Sequence, residues 1–302
     1  MAADTFYWRG NGAGTKTAWN DGRNWVNSSG VAFPQAVYPG TTAGDTAVFD
    51  AALSAGASSP AGYDGSADYM CHLKVGPDYD GTIGSASDYV QMDFGLATVT
   101  LMARDAGAIY LNNLNVSDSG VFHLHDGAAV YLKGTGTMGW TCYLYKGTVT
   151  LDTPIAYLQT SYKTNPSGDV QCTILSTASF LSSYGVTIGG GQISCAAAID
   201  QTLTISAGRW THTGGNISGS LTIAGGTLDW RSGNITEPCV ITAGVLDASQ
   251  SSTARTLDTV TLYPAGTLNV DNGLGTITLE SGKKVVYRGG TLKLPAGTQV
   301  SW

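Results

Sequence analysis

Two aspartates occupy equivalent places in a recurring stretch of the sequence and are the best candidates for hydrolytic chemistry. Asp229 follows Leu228 and Asp247 follows Leu246, so the two carboxylates are one repeat apart. Glycoside hydrolysis uses one carboxyl group as general acid and a second as base or nucleophile. A chain that coils with this period would place both aspartates side by side. The same placement also fits a turn or an outward-facing row without catalysis, and we favour this second interpretation.

Two histidines are the candidates for metal binding. His123 and His125 alternate with apolar residues in a predicted strand, so both side chains lie on the same face of it. A metal site requires three or four ligands, and the pattern brings neither His72 nor His212 close to the pair. We therefore predict no metal site and expect solvent-facing or interface histidines. The sequence also lacks the G-x-S-x-G, H-E-x-x-H and phosphate-loop motifs, so we predict no enzyme activity and no cofactor.

Six aromatic residues are candidates for attachment or for contact with a glycan. Exposed aromatic rings combine an apolar face with a polar group, which suits a binding surface. The tryptophans could instead fill a core, and the tyrosines could cover the fold or pack against a neighbouring chain. The six residues are Trp8, Trp19, Trp25, Tyr157, Tyr162 and Tyr184.

A repeated phrase of apolar residues and glycine, over residues 186–300, would position Asp229 and Asp247. It reads apolar-x-apolar-x-x-Gly-x-apolar, with the glycine at a fixed offset from the first apolar position. Four copies that keep this offset begin at nearly equal intervals, at Val186, Leu203, Leu221 and Cys239. Related copies begin later at Val260, Ile277 and Leu292, and earlier at Phe122 and Cys142.

The phrase predicts short strands joined by tight corners. Alternation with period two puts the first and third residues on one buried face of a strand, and the residue between them on the other. The glycine permits positive φ, which lets the chain turn sharply into the next strand. Short coils of about 17–20 residues predict an all-β parallel β-helix, a β-solenoid whose stacked coils share one core. We expect right-handed coils and very little helix.

The composition divides the chain into a cap and a solenoid. Residues 1–60 hold three of the seven tryptophans and predict an aromatic N-terminal cap or attachment region, because the open end of a solenoid exposes its core. Residues 61–302 are predicted to form the solenoid. A loop belt is expected around residues 152–185, where binding loops would leave the stack. A short C-terminal cap is expected to end at Trp302.

Charge and cysteine content exclude several classes of partner. The formal net charge is −7 and no basic run occurs, so we expect no nucleic-acid partner. No apolar run reaches the roughly 20 residues that a membrane span requires. The N-terminus lacks the features of a signal peptide, so we expect synthesis in the cytoplasm without export. Five cysteines without C-x-x-C spacing predict no disulfide, and Cys142 and Cys239 fill apolar positions of the phrase.

The N-terminal region carries a series of short motifs with a recognisable order. W-x-G occupies residues 8–10, W-N-D-x-x-N-W residues 19–25, P-G residues 39–40 and G-D-x-A-x-F residues 44–49. This order resembles the opening of β-helical proteins of phage virions and of bacterial surface proteins with repeated β-strands. Because we expect no signal peptide, the resemblance favours the phage group.

The resemblance and the lack of catalytic motifs together predict a structural phage virion protein. We expect it to be exposed on the particle, to decorate or cement the head, and to form a homotrimer that contacts the major capsid protein or other virion proteins. A trimer would bury rows of outward-facing strand side chains that a monomer leaves exposed to water. Two alternatives stay open: a tail-fibre or tailspike protein that binds a host surface glycan, and a polysaccharide-degrading β-helix enzyme using Asp229 and Asp247.

Overall fold

The computed structural model describes most of the 302-residue chain. The described residues are 2–10, 19–50, 62–63, 71–87, 89–92, 95–102, 107–112, 115–124, 129–134, 141–155, 157–160, 170–180, 185–271 and 276–295. They form 26 β-strands and one 3₁₀ turn, with no α-helix among them. The chain divides into two compact units, Met1–Ala156 and Tyr157–Trp302. Within the described ranges no helix is long and apolar enough to cross a membrane.

The strands are short, as the spacing of the phrase predicts. In the first unit they are β1 (Thr5–Trp8), β2 (Trp25–Val26), β3 (Thr46–Phe49), β4 (Gly62–Tyr63), β5 (Cys71–Val75), β6 (Val90–Met92), β7 (Gly95–Leu101), β8 (Ile109–Asn112), β9 (Asn115–Leu124), β10 (Ala129–Lys133), β11 (Thr141–Leu144), β12 (Gly147–Asp152) and β13 (Pro154–Ile155), with the 3₁₀ turn at Gly22–Asn24.

The second unit continues the same pattern of short strands. They are β14 (Leu158–Thr160), β15 (Val170–Ile174), β16 (Ser179–Phe180), β17 (Val186–Cys195), β18 (Leu203–His212), β19 (Leu221–Ile223), β20 (Thr227–Trp230), β21 (Cys239–Asp247), β22 (Arg255–Leu257), β23 (Val260–Asn269), β24 (Ile277–Leu279), β25 (Val285–Tyr287) and β26 (Thr291–Lys293).

Parallel strands of the first unit stack in two rows. One row runs β1–β3–β5–β7–β9–β11, and the other runs β4–β6–β8–β10–β12. Along the first row the register partners Leu73, Val99, Phe122 and Cys142 are all buried. Each apolar side chain covers the one in the next coil, so the coils share a continuous core. The prediction that Cys142 is a small core residue is confirmed.

The described residues 2–10 and 19–50 contribute an aromatic core and end this parallel stack. Strand β2 lies antiparallel against β1. The ring of Trp25 lies 4.8 Å from that of Trp19, 4.9 Å from that of Trp8 and 6.0 Å from that of Phe49, between centroids. The predicted aromatic cap is confirmed. Strand β3 already belongs to the parallel row, so the cap and the first coils share strands.

The residues of the N-terminal motifs serve this local packing. The Asp45 carboxylate accepts hydrogen bonds from the backbone N–H groups of Asp4 at 3.1 Å, Gly40 at 3.2 Å and Thr42 at 3.0 Å. The Asp21 carboxylate caps the 3₁₀ turn by accepting from the Arg23 N–H at 3.0 Å. Buried N–H donors require such partners, which explains why aspartates recur at these places.

The second unit has three inward rows of apolar residues, one on each face of the coil. Adjacent strands are parallel and in register. All members of the rows are buried. The rows are Val186–Leu203–Leu221–Cys239–Val260 on the first face, Ile193–Trp210–Leu228–Leu246–Leu268 on the second, and Ile199–Ile217–Ile235–Leu257 on the third.

The coil corners follow the predicted glycines. Gly191, Gly208, Gly226 and Gly244 have φ of 82°, 74°, 65° and 80°, a region that only glycine adopts at little cost. Coil length varies around this regular part: the coil from Leu158 to its register partner Val186 is longer than the coil from Val186 to Leu203. The fold is therefore the predicted parallel β-solenoid, with coils of about 21 residues rather than the predicted 17–20, because coils such as the one from Leu158 to Val186 are longer than those of the regular part.

The range 152–185, predicted as a loop belt, contains regular structure among its described residues. Strand β15 pairs in parallel with β17, and it buries Val170, Cys172 and Ile174 on one face. These residues are therefore solenoid strand rather than loop. Period-two alternation was present there, but no glycine follows it at the offset of the phrase. The predicted C-terminal cap ends at Trp302, which lies outside the described residues.

Candidate functional site

Asp229 and Asp247 are neighbours on adjacent coils, as their equivalent places in the repeat predict. Both belong to an outward-facing row of register partners on the second face of the solenoid. The neighbouring residues Leu228 and Leu246 point inward and are buried. The outward row runs Ser194–Thr211–Asp229–Asp247–Asn269–Lys293.

Asp229 is fully buried although it lies on the outward side of its strand. Two arginines cover it: Arg209 Nη2 donates to its Oδ2 at 2.5 Å, and Arg231 donates to the same oxygen from Nη2 at 2.8 Å and Nε at 3.1 Å. The two arginine side chains are about half exposed, at 46% and 45%. We call Arg209, Asp229 and Arg231 the arginine clamp.

The clamp holds Asp229 in its ionised form. Burial alone would raise the pKa of this carboxyl group. The hydrogen bonds from Arg231 and Arg209 outweigh burial, so the pKa lies below its ordinary value of 3.8. A general acid for glycoside cleavage must instead keep its proton near neutral pH. Asp229 therefore lacks the property that the acid of a hydrolytic pair requires.

Asp247 is held by its own coil and by the next one. Its Oδ1 accepts from the Ser249 backbone N–H and from Asn269 Nδ2, both at 3.0 Å. The structure thus brings the two predicted carboxylates together but directs each to a different set of partners. Their arrangement matches the outward row that was the alternative to catalysis.

A shallow, open depression lies beside the clamp. It has a volume of about 610 Å³ and is lined by Gly191, Gln192, Gly208, Arg209, Thr211 and Arg231. We call it the arginine basin. Gln192 and Arg209 are register partners on adjacent coils, so the coil spacing fixes the distance between their side chains. The lining offers two guanidinium groups, an amide and a hydroxyl group to a ligand.

A third arginine lies inside the corner of a coil in the same unit. Arg255 is 2% exposed, and its guanidinium carbon lies 4.6 Å from the centroid of the Trp230 ring. Its N–H groups donate to the carbonyl oxygens of Trp230, of Ala248 at 2.8 Å and of Thr253 at 3.2 Å. Burial lowers the pKa of Arg255, and the nearby Asp229 charge partly opposes that change. Arginine remains charged in proteins, so the site keeps this positive charge.

His212 lies in the core of the same unit. It is fully buried, and its Nε2 lies 3.3 Å from the Gly215 carbonyl oxygen. Burial lowers the pKa of the ring from 6.5 to about 4, against a smaller opposing effect of that hydrogen bond. Its register partner Trp230 donates from Nε1 to the Gly233 carbonyl oxygen at 3.0 Å. Both side chains therefore bind the corner that follows their own strand.

The histidine pair of the sequence is only partly described. His123 lies on β9, and its ring stacks on that of Tyr143 with 5.3 Å between centroids and on that of Tyr145 with 6.0 Å. His125 lies outside the described residues. In the ranges that the structure describes, no group of three or more histidine, cysteine or carboxylate side chains is placed to hold a metal ion.

Four of the six aromatic candidates lie among the described residues, and three of these four are buried. Trp8, Trp19 and Trp25 are 0–1% exposed, so these rings cannot stack on a sugar at the surface. The predicted glycan contact through the tryptophans is therefore wrong, because the rings fill the cap core. The Tyr157 hydroxyl group donates to Gln159 Oε1 at 3.3 Å. Tyr162 and Tyr184 lie outside the described residues.

The structure instead shows a tyrosine row that the sequence analysis missed. Tyr110 and Tyr131 are register partners whose rings stack at 4.6 Å, with 7° between their planes. Tyr89 packs edge-on against Tyr110, and Lys133 Nζ lies 3.8 Å from the centroid of the Tyr89 ring. Stacked rings cover one another's faces, so the row stabilises the coils more than it offers a flat face to sugars. The equal spacing of Tyr89, Tyr110 and Tyr131 in the sequence is the signal that could have predicted this row.

Comparison of the sequence with models of protein families, with curated proteins and with solved structures finds no match.

Proposed function

We propose that the chain is a structural, non-enzymatic protein of a phage particle, exposed on its surface and decorating the head as a homotrimer. The observation that carries the proposal is that the buried carboxylates of the described chain bind groups of the fold itself. They belong to Asp21, Asp45, Asp229 and Asp258. Each of the four accepts hydrogen bonds from the fold. A neighbouring cation holds the pKa of Asp21, Asp229 and Asp258 below its ordinary value, whereas a general acid needs a raised pKa.

The contacts of these carboxylates are those of a stabilising element. Asp258 Oδ2 lies 2.6 Å from Lys283 Nζ, and Asp21 Oδ2 lies 2.6 Å from Arg23 Nη2. The hydrogen bonds from Lys283 to Asp258 and from Arg23 to Asp21 lower the pKa of both carboxyl groups, against the opposing effect of burial. Charge-assisted bonds of this kind are stronger than neutral ones. They support a rigid scaffold rather than a reaction site.

The outward side of the first face supports self-association. It carries a continuous row of half-buried β-branched residues, in which each member pairs with the next coil. Such a flat row resembles the inner face of a packed sheet, and a symmetric oligomer would remove it from water. The row is Thr187–Thr204–Thr222–Val240–Thr261–Val286.

The location on a phage particle rests on the motifs within residues 1–50. Their aspartates and tryptophans build the cap, and Trp25 Nε1 donates to the Trp19 carbonyl oxygen at 2.8 Å within it. These motifs therefore mark a particular way of starting a solenoid. This structural role of the motif residues supports the resemblance to β-helical virion proteins, as a similarity in how the solenoid begins.

Sedimentation of the purified chain tests the oligomer. We expect three times the mass of the 31.2-kDa chain, with and without EDTA. Thr222→Lys introduces a charge into the outward row and should yield 31.2-kDa monomers. Thr278→Lys, an exposed strand residue of the third face, serves as the control and should stay trimeric. A wild-type chain that remains monomeric at all concentrations contradicts the homotrimer.

A turnover assay tests the non-enzymatic part of the proposal. Incubation with a panel of neutral and acidic polysaccharides should release no new reducing or unsaturated ends. Asp229→Asn and Asp247→Asn provide the background measurement. Release by the wild-type chain that both variants abolish would establish the polysaccharide-degrading alternative instead.

A further inference from the structure

The charges at the arginine basin do not cancel. Asp229 contributes one negative charge against the two positive charges of Arg209 and Arg231, so the clamp keeps one positive charge. Arg255, buried in the same unit and close enough to Asp229 to interact with it electrostatically, adds another. Asp247, one coil further along the row, is a second negative charge and interacts electrostatically with Arg231. Three arginines against two aspartates thus leave one positive charge at the basin, on a chain of net charge −7.

The clamp also fixes the orientation of both guanidinium groups. Arg231 uses Nε and Nη2 for the Asp229 Oδ2 atom, and Arg209 uses Nη2. Each arginine has five N–H donors, so both keep donors for a ligand in the basin. Because the carboxylate already holds the two side chains, binding an anion costs little further side-chain entropy. The half-exposed guanidinium groups are accessible from solvent.

We propose that the arginine basin binds an acidic saccharide, with the sugar carboxylate between Arg209 and Arg231. Planar guanidinium groups match the geometry of a carboxylate and bind it in a bidentate manner. Gln192 and Thr211 line the same basin and supply the amide and hydroxyl partners that sugar hydroxyl groups require. A volume of about 610 Å³ lies in the usual range of small-ligand sites, about 300–1,000 Å³.

The shape of the basin favours a polymer over a single sugar. The depression is open to solvent, so a bound unit stays partly in water and the neighbouring units of a chain can continue out of it. The parallel coils repeat about every 4.7–4.9 Å along the stack, and the hydroxyl-bearing register partners Ser194 and Thr211 line that direction. This binding activity is additional to the proposed structural role, and it requires neither the trimer nor the phage particle.

Titration with a matched pair of ligands tests the proposal. Tetragalacturonate and its fully methyl-esterified form share one sugar backbone and differ in charge. The wild-type chain should bind the acid at least about tenfold more tightly than the ester, because only the acid pairs with the guanidinium groups. Affinity for the acid should fall as salt rises. Equal binding of both ligands, or of neither, overturns the proposal.

Variants of the basin identify the site. Arg209→Gln should lower affinity for tetragalacturonate about tenfold or more, whereas Arg288→Gln, an exposed arginine near Tyr263, should leave it unchanged. Thermal melting of each variant establishes that it is folded. Unchanged affinity in the folded Arg209→Gln variant contradicts the assignment.

A second variant keeps the clamp intact and separates a saccharide from a simple anion. Thr211→Val removes the hydroxyl group and keeps a side chain of nearly the same shape. The variant should therefore fold even if Arg209→Gln does not. It should weaken tetragalacturonate binding by about two- to tenfold and leave competition by inorganic sulfate unchanged. If sulfate displaces tetragalacturonate at equal concentration and Thr211→Val has no effect, the basin is a simple anion site and the saccharide assignment fails.

Discussion

Gly233 packs directly against the carbonyl oxygen of Gly215 in the preceding coil. A Cβ atom at Gly233 would overlap that oxygen, and the residue has a φ of 73°. The same corner holds the side chain of Trp230, whose Nε1 donates to the Gly233 carbonyl oxygen. The contact shows how closely neighbouring coils approach where the chain turns.

Gly233→Ala should therefore destabilise the solenoid by about 3 kcal/mol or more, because it combines a left-handed backbone with a clash between coils. Gly282→Ala is the matched control: its φ is 77°, but nothing lies within 4 Å of the added atom. This control should lose only the backbone cost of about 1–2 kcal/mol. Chemical unfolding measures both values. Equal losses would show that the backbone conformation alone explains the glycine.

His212 should make stability depend on pH between about 6.5 and about 4. Burial holds the ring neutral in the folded chain, with a pKa of about 4 rather than 6.5. The unfolded chain takes up a proton in this window and the folded chain does not. Stability is therefore fully present above pH 6.5 and falls by about 1.4 kcal/mol for each pH unit below it.

Unfolding of the wild-type chain and of His212→Gln at a series of pH values measures this effect. The variant should be less stable at neutral pH if its amide packs poorly, but its stability should change much less between pH 6.5 and 4. Parallel curves for the two proteins would contradict a buried neutral His212.

The buried thiols should be unreactive in the native state. Cys142, Cys172, Cys195 and Cys239 are buried thiols. Burial raises the pKa of Cys142 and Cys239, and it raises the pKa of Cys195 to about 12, against a weaker opposing effect of its hydrogen bond to Ala197. The thiolate is the reactive species, so a thiol reagent at neutral pH has little to attack.

A Cys71→Ser background leaves these four thiols alone for measurement. Native protein in this background should react with a thiol reagent only as fast as it unfolds, and four equivalents should react at once in denaturant. Immediate reaction of any thiol without denaturant would place that cysteine at the surface.

The arginine clamp should contribute more to stability than the contacts of Asp247. Asp229→Ala removes charge-assisted hydrogen bonds to both arginines and should cost about 2 kcal/mol, since the half-exposed guanidinium groups can regain water. Asp247→Ala, one coil away, removes the bonds from Ser249 and Asn269 and should cost about 1 kcal/mol. The reverse order, measured by urea unfolding, would contradict the clamp.

The regular part of the fold was accessible from the sequence because its period is constant. Leu203 and Leu221 are one repeat apart and are register partners, and the same separation predicted that Asp229 and Asp247 would be adjacent. Period-two alternation also placed both aspartates on the outward side. The chemistry of that pair was not accessible, because Arg209 contacts Asp229 diagonally between adjacent coils rather than in register.

Features outside the constant period were harder to predict. Arg255 reaches the Trp230 carbonyl oxygen from a later corner, across a coil of different length. The tyrosine row of Tyr110 and Tyr131 lies where the coils are longer, before the regular phrase begins. The burial of Trp25 depends on a cluster of rings, and an indole suits a core and a binding surface equally well.

The measurement that tests the central claim most directly is the pKa of Asp229, obtained from the ¹³C shift of its side-chain carboxyl carbon as pH is lowered. Asp229→Asn assigns the signal. The account predicts a midpoint below the ordinary value of 3.8, because Arg231 and Arg209 hold the carboxylate ionised against the effect of burial. A midpoint raised toward neutral pH would contradict the clamp and make Asp229 a credible general acid.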